Sequence, residues 1–323
     1  MLGIDAGSYA LKFCLSEKRG ESFAILRVGE LVVVKEEGHS KRTTTPQGDL
    51  RSFLQRNRLP KEVVLSFSHP QMVFQRINLP EMSQEELGNA LQWEAHSLIP
   101  GEKSFQVGWN ILEKNGGKMD VLFSAVPSPV VEEFVETFDQ TGMWVEAVEP
   151  HPISLVRGLL SLHPELFEAS FTMVDIGFEK TTVICFGNHN VLLSRYLSWG
   201  MKKVQDVLQE KFRLSLPEAI EVVKRGENRE GFPNQLEEAV LSTSQDLVLE
   251  LKRSFTFFQT EFGPRVLEKI FLSGGGALCQ PLRSHISQSL SFSPENIHPL
   301  ALRKQESLPS ERFLAAVGAS LWK

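Results

Sequence analysis

Short apolar runs alternating with polar positions open the chain, the pattern of strands laid against a core on one face. Leu2 to Asp5 reads as a strand, Ala6-Gly7-Ser8 as a tight turn and Ala10 to Ser16 as the returning strand, with another strand at Glu30 to Val34. Val63 to Phe67 is a further apolar run, and Gln75 to Leu79 keeps the β pattern until Pro80 interrupts it. The period then changes. Ser83 can cap a helix in which Glu86 completes a capping box, and Leu87, Leu91, Ala95 and Leu98 recur at helical spacing until Pro100-Gly101. Phe105 to Leu112 and Val121 to Val126 flank a Gly116-Gly117 turn as a hairpin. Pro129 to Thr141 reads as a helix with Val131, Phe134, Val135 and Phe138 inward. The span from about 80 to 150 thus reads as a small β/α module of its own.

A second half opens with the strand Phe171 to Asp175, and its start echoes the first: Gly3-Ile4-Asp5-Ala6-Gly7-Ser8 against Val174-Asp175-Ile176-Gly177. This is a weak internal repeat, too short to establish duplication alone. The strand Val191 to Leu197 follows, then helices near Lys202 to Phe212 and Leu216 to Lys224 and a long helix from about Asn234 to Phe262. Ile270 to Leu272 runs into three glycines and a helix from Leu278 to Leu290, and the helix Glu311 to Trp322 closes the chain.

Composition narrows the function classes. With 323 residues, 41% apolar and 23% charged, the chain has the make-up of a globular protein with two sizeable cores. The net charge of −6, without a Lys/Arg-rich block, argues against nucleic acid as a partner. Cys14, Cys185 and Cys279 lie far apart and form no CxxC pair, so buried free thiols are expected. The apolar stretches fall short of the roughly 20 residues needed to span a bilayer. The N-terminus lacks the basic and apolar regions of a signal peptide, so a cytoplasmic location is expected.

Four features carry candidate chemistry. Asp5-x-Gly7-Ser8 with Lys12 puts a carboxylate at a strand end, followed by a turn whose backbone N–H groups can face a phosphate; Asp5 would hold Mg²⁺ through water. Asp175-Ile176-Gly177, with Thr181-Thr182 closing its hairpin, repeats that chemistry from the other side, Asp175 again serving Mg²⁺. Gly274-Gly275-Gly276 lets a flat base and ribose approach the backbone. Glu221-x-x-Lys224 sits one helical turn apart and can bond ribose hydroxyls. Taken singly, these are equally two β-turns, a strand-to-helix turn and a solvated ion pair.

Their order gives them meaning: two DxG hairpins 170 residues apart from Asp5 to Asp175, an ExxK helix, a GGGA turn, and a terminal helix containing Ala315-Ala316-Val317-Gly318-Ala319. This resembles the actin, heat-shock ATPase and sugar-kinase superfamily, which implies an α/β actin-like (ribonuclease H-like) fold. Two domains with central mixed sheets would clamp ATP and Mg²⁺. Residues 1–170 would form the first domain, carrying a small β/α subdomain inserted at about 80–150. Residues 171–323 would form the second, with the C-terminal helix returning to the first.

Within that superfamily, several segments are similar to the PilM family of type IV pilus assembly proteins: Gly3 to Ser8 with Leu11-Lys12, Leu79-Pro80-Glu81-Met82, Gln92-Trp93-Glu94-Ala95, Ile99-Pro100, Glu149-Pro150, Leu155-Val156-Arg157, Leu251 to Phe255 with Phe257-Phe258, and Leu272 to Leu278. That resemblance implies an ATP-binding scaffold, at most a weak ATPase. It would bind the cytoplasmic tail of an inner-membrane PilN partner, meet the membrane only indirectly at the inner face of the inner membrane, and leave contact with the assembly ATPase and a homo-oligomer or ring as open partners. One departure stands out. Phe178-Glu179-Lys180 follow the second turn where small residues are usual; a bulky ring and a carboxylate there would weaken nucleotide binding, with Lys180 able to compensate by pairing with a phosphate. Three alternatives belong to related folds. A small sugar or acid kinase needs a carboxylate base, and none beyond Asp5 and Asp175 stands out. The division protein FtsA carries an amphipathic C-terminal tail, which is not expected after Trp322-Lys323. A cytoplasmic GspL-like component of type II secretion stays open.

Overall fold

The first hairpin forms as its alternation requires. Strand β1 (Leu2–Ala6) pairs antiparallel with β2 (Ala10–Arg19), which pairs with β3 (Ser22–Val32). The structure, a computed structural model, describes residues 1–20, 22–33, 47–225, 234–300 and 309–322; Val34, expected to end the third strand, lies outside them. Strand β4 (Glu62–Phe67) adds parallel to β1, and β8 (Trp144–Pro150) parallel to β4, giving the sheet order β3-β2-β1-β4-β8. The second half repeats this plan. Strands β9 (Phe171–Ile176), β10 (Thr181–Gly187) and β11 (Asn190–Leu197) form an antiparallel meander, and β12 (Ile270–Ser273) joins β9 in parallel, for the order β11-β10-β9-β12. The weak echo in sequence is thus a shared strand order around the two DxG turns.

A third sheet, β5 (Val73–Pro80), β7 (Lys118–Pro127) and β6 (Phe105–Asn115), lies apart. Helix α1 (Gln47–Arg56) precedes β4, and helix α2 (Gln84–Leu98) covers the third sheet, opened by the expected capping box: the Ser83 hydroxyl accepts from the Glu86 amide while the Glu86 carboxylate accepts from the Ser83 amide. Leu87, Leu91 and Ala95 are buried in this core, each leucine contributing about 1.5–3 kcal/mol. Leu98 is not; it is 39% exposed, and Ile99 takes the inward place because the last turn unwinds at that residue. The small unit therefore runs from Val73 to Pro127, whereas Trp144–Pro150, which the sequence reading kept inside its module of about 80 to 150, is an edge strand of the first large sheet. Helix α3 (Ser128–Asp139) connects them.

Helix α4 (His151–Leu162), which the pattern analysis did not mark, starts directly after β8 with Pro152 in its first turn, where the missing proline N–H costs nothing. Its face carrying Leu155, Val156 and Leu159 packs on the second sheet through Phe171, Met173 and Phe271. Against it lies α10 (Leu314–Ser320), shorter than the expected 311–322 helix because Ser310–Arg312 forms a separate 3-10 turn. Every residue of α10 is buried. A Cβ at Gly158 would stand 2.1 Å from the Leu314 carbonyl oxygen, one at Gly318 1.8 Å from that of Ser154, and one at Gly3 2.2 Å from the Ser320 amide. These glycines let α10 touch α4 and β1 backbone to backbone.

Around the second sheet stand α5 (Met201–Glu210), α6 (Leu216–Arg225), α7 (Gln235–Thr243), α8 (Gln245–Phe262) and α9 (Gln280–Leu290). The single helix expected over 234–262 is two, because the hydroxyls of Thr243 and Ser244 turn back onto the carbonyls of Ala239 and Val240 and the Trp199 indole N–H donates to the Thr243 carbonyl at 2.7 Å. The glycine run enters a 3-10 turn, Gly275–Leu278, before α9 begins. All three cysteines are free and buried, and burial pushes the thiols of Cys14 and Cys185 up to about 12. Among the described residues no helix is long and apolar enough to cross a membrane.

The close backbone approach makes a specific demand on Gly318. Gly318→Val should lower unfolding stability by about 3 kcal/mol in a denaturant titration. An unchanged midpoint would mean that α10 does not lie against α4.

Candidate functional site

Equivalent registers place the two DxG carboxylates. Asp5, at the end of β1, lies opposite Lys12 on β2 and Ser66 on β4; Asp175, at the end of β9, lies opposite Thr182 on β10 and Ser273 on β12. Both aspartates are buried. They meet at one side chain, His151, the first residue of α4: its Nδ1 is 3.6 Å from Asp5 Oδ1 and its Nε2 3.3 Å from Asp175 Oδ2. The Ser66 hydroxyl is 3.0 Å from the same Nδ1, and the Ser273 hydroxyl donates to Asp175 Oδ1 at 2.8 Å. The loops of the two halves thus converge.

Cations complete the junction. Lys12 Nζ is 3.1 Å from Asp5 Oδ2, the pair mostly shielded from solvent. Lys180 Nζ donates to the Ser68 hydroxyl at 2.6 Å. Burial draws the Lys180 ammonium down to about 8, opposed by the charges of Asp5, Glu179 and Asp175. Burial pushes the Asp175 carboxyl up, but the His151 hydrogen bond and charge, the Ser273 bond and Lys12 outweigh it and hold the group below the usual carboxylate range.

The departure in the second turn has a structural partner. The Phe178 ring packs on Tyr9 of the first turn, centroids 5.3 Å apart, so the two hairpins touch through an aromatic pair. Lys180 reaches across to Ser68 of the first half, to which its ammonium donates. The carbonyls of Gly177 and Phe178 accept the amides of Met201 and Lys202 at 3.0 and 2.8 Å, tying the turn to the start of α5. Gly200 is required there, since its Cβ would stand 2.2 Å from the Phe178 carbonyl.

The other expected site residues are distributed unevenly. Gly7 lies beside Lys12, the added Cβ being 3.7 Å from its Nζ, while Ser8 is half-buried in the same turn. Gly177 is held by the hydrogen bond its amide N–H donates to the Lys180 carbonyl at 2.9 Å. Thr181 and Thr182 are buried, and the Thr181 hydroxyl donates to the Trp199 carbonyl at 2.9 Å, an internal role. The glycine run divides: a Cβ at Gly274 or Gly276 would meet Ile176 at 2.4 and 2.3 Å, whereas one at Gly275 meets nothing within 4 Å. Two of these glycines therefore serve strand packing and one faces open space. Glu221 pairs with Arg225, while Lys224 turns away to the Tyr9 ring at 5.6 Å and to Glu30 at 3.9 Å, where Arg312 also pairs.

Sequence reasoning missed His151, Ser66 and Ser273. Ser66 and Ser273 share a register beside the two aspartates, a signal only strand pairing makes visible, and His151 carries no motif at all. It also missed the use of Glu149 and Arg157. The Glu149 carboxylate accepts from Arg157 at 2.6 and 2.8 Å and from Ser154 at 2.6 Å, and Arg157 donates to the Gly318 carbonyl at 3.1 Å, tying β8, α4 and α10 together.

Known proteins share the fold. The solved PilM-PilN type IV pilus biogenesis complex contains a chain 23% identical, matched over 99% of this chain and 97% of that one with a TM-score of 0.83. Ethanolamine utilization protein EutJ from Carboxydothermus hydrogenoformans is 13% identical over 100% of this chain and 89% of its own, with a TM-score of 0.60. MreB5 of Spiroplasma citri, solved with ADP, is 10% identical over 99% and 94%, with a TM-score of 0.52. These likenesses place the fold in the actin-like α/β class. A family model described as type IV pilus assembly protein PilM matches residues 3–319, and the chain accordingly belongs to the PilM family.

Proposed function

We propose that this chain is an actin-like scaffold of the type IV pilus machine that binds a nucleotide in the cleft between its halves and the cytoplasmic tail of a PilN-type inner-membrane protein on its surface. The carrying observation is the convergence of the two DxG turns at His151, in a chain that matches the PilM family over residues 3–319. The solved complex that names PilN beside PilM supports the partner, and the MreB5 structure with ADP supports a nucleotide as the occupant. In this reading residues 1–170 and 171–323 are the two actin-like domains, the sheet around β7 is the inserted subdomain, and α10 docks back on the first domain. The protein works at the inner face of the inner membrane through its partners, and a ring or homo-oligomer and the assembly ATPase belong to the same proposal.

ATP is the nucleotide proposed, facing Gly7, Ser8, Gly177 and Gly275, with Lys224 near the first turn. Gly275 suits the role because open space stands over its backbone. Glu221, Thr181, Thr182, Gly274 and Gly276 are the weaker assignments, since each is exposed, internally bonded or packed on a neighbour. Asp5 and Asp175 do not suit an Mg²⁺ ion, because their carboxylates already hold Lys12, His151 and Ser273. The function proposed is binding of the nucleotide, with any turnover weak. The family assignment favours this reading over the secretion component and the kinase.

Thermal unfolding with ATP, with the PilN tail peptide and with both tests the proposal. Each ligand at a hundredfold excess over its Kd should stabilise the protein by about 2.7 kcal/mol and raise the midpoint. A midpoint unmoved by either, in protein with a cooperative transition, would overturn it.

A further inference from the structure

A divalent cation such as Mg²⁺ is bound through one or two carboxylates whose negative charge is free to meet it. Each carboxylate oxygen at this junction already faces a partner. Asp5 Oδ2 accepts from Lys12 Nζ at 3.1 Å, and Asp5 Oδ1 lies 3.6 Å from His151 Nδ1. Asp175 Oδ1 accepts from the Ser273 hydroxyl at 2.8 Å, and Asp175 Oδ2 lies 3.3 Å from His151 Nε2. Lys180 Nζ, anchored on Ser68 at 2.6 Å, is attracted by both carboxylates. Two ammonium groups therefore balance two carboxylates before His151 is counted.

The nearest further acids are engaged or open to solvent. Glu149 is consumed by Arg157 and Ser154, and Glu179 is exposed. Among the described residues no group of three or more His, Cys, Asp or Glu side chains is arranged to hold a metal ion. A dication entering here would compete with Lys12 and His151 for the two carboxylates and sit near partly buried ammonium groups, where repulsion is less screened than in water.

We propose that the carboxylate pair of this cleft is neutralised by the chain's own cations, Lys12 and Lys180 with His151 bridging, in place of a divalent metal, so that the cleft recruits no Mg²⁺ and admits a phosphate-bearing occupant without a metal bridge to Asp5 or Asp175. His151 and Lys180 also join the halves, since His151 reaches Asp175 at 3.3 Å and Lys180, in the turn before β10, donates to Ser68 after β4. The inference stands on the carboxylate partners and does not require that a nucleotide binds.

Titration of the full-length protein with Mn²⁺ alone, with free ion read by electron paramagnetic resonance, tests it. The wild type should show no stoichiometric uptake up to about 1 mM ion, the weak end of protein sites for hard divalent cations. The Lys12→Met/Lys180→Met double variant, with both carboxylates uncompensated, should gain a single saturable site at least about tenfold tighter than any wild-type uptake. If that variant does not fold, Lys180→Gln, which keeps a polar group for Ser68, carries the same arm. Uptake of one Mn²⁺ by the wild type below about 0.1 mM, lost in Asp175→Asn, would overturn the proposal. A folded cation-deficient variant as unresponsive as the wild type would overturn it too.

Discussion

Two carboxylates brought from separate halves to one buried place must be neutralised, and that requirement organises the molecule. Burying an unpaired charge is prohibitive, and removing one member of a buried pair costs about 3–5 kcal/mol. The solution here is a bridging imidazole flanked by two lysines. His151 can serve because it opens α4, whose apolar face lies on the second sheet while its glycine-bearing side receives α10. The helix is thus a beam between the halves, and the charged junction forms at its end. Its position is fixed again from the first sheet by Glu149 and Arg157.

The same economy explains the second turn. Where the resemblance led one to expect small residues, Phe178 fills the space against Tyr9 and Lys180 is anchored on Ser68. The turn is also tied through Gly177 and Phe178 to the first amides of α5, which Gly200 makes possible. The halves are thereby joined by the Tyr9–Phe178 aromatic pair, by His151 on Asp175 and by Lys180 on Ser68. Such links between the halves suit a scaffold whose task is to present a surface.

Local signals in the sequence were strong where one element decides its own fate. The Ser83-Glu86 capping box, the Gly116-Gly117 hairpin and the leucine period of α2 all concern contacts within a few residues, and the strand-turn-strand echo at Asp5 and Asp175 became a shared strand order. The failures are tertiary. The expected 234–262 helix breaks because Trp199, distant in sequence, takes the Thr243 carbonyl. Leu98 faces solvent because the helix ends one residue later. Within the site, the aspartates and glycines were legible as motifs, but the division of the glycine run depends on Ile176 lying across it. His151 was invisible because a lone histidine after a proline announces nothing until two strands deliver their carboxylates to it.

Convergence of the two turns is the claim on which everything else rests, and the contact between Tyr9 and Phe178 reports it without any ligand. A double-mutant cycle of Tyr9→Ala and Phe178→Ala, read by denaturant unfolding, should give a coupling energy of about 0.5–1.5 kcal/mol. Strictly additive losses from the two substitutions would mean that the turns face different surfaces, and the shared cleft would not exist.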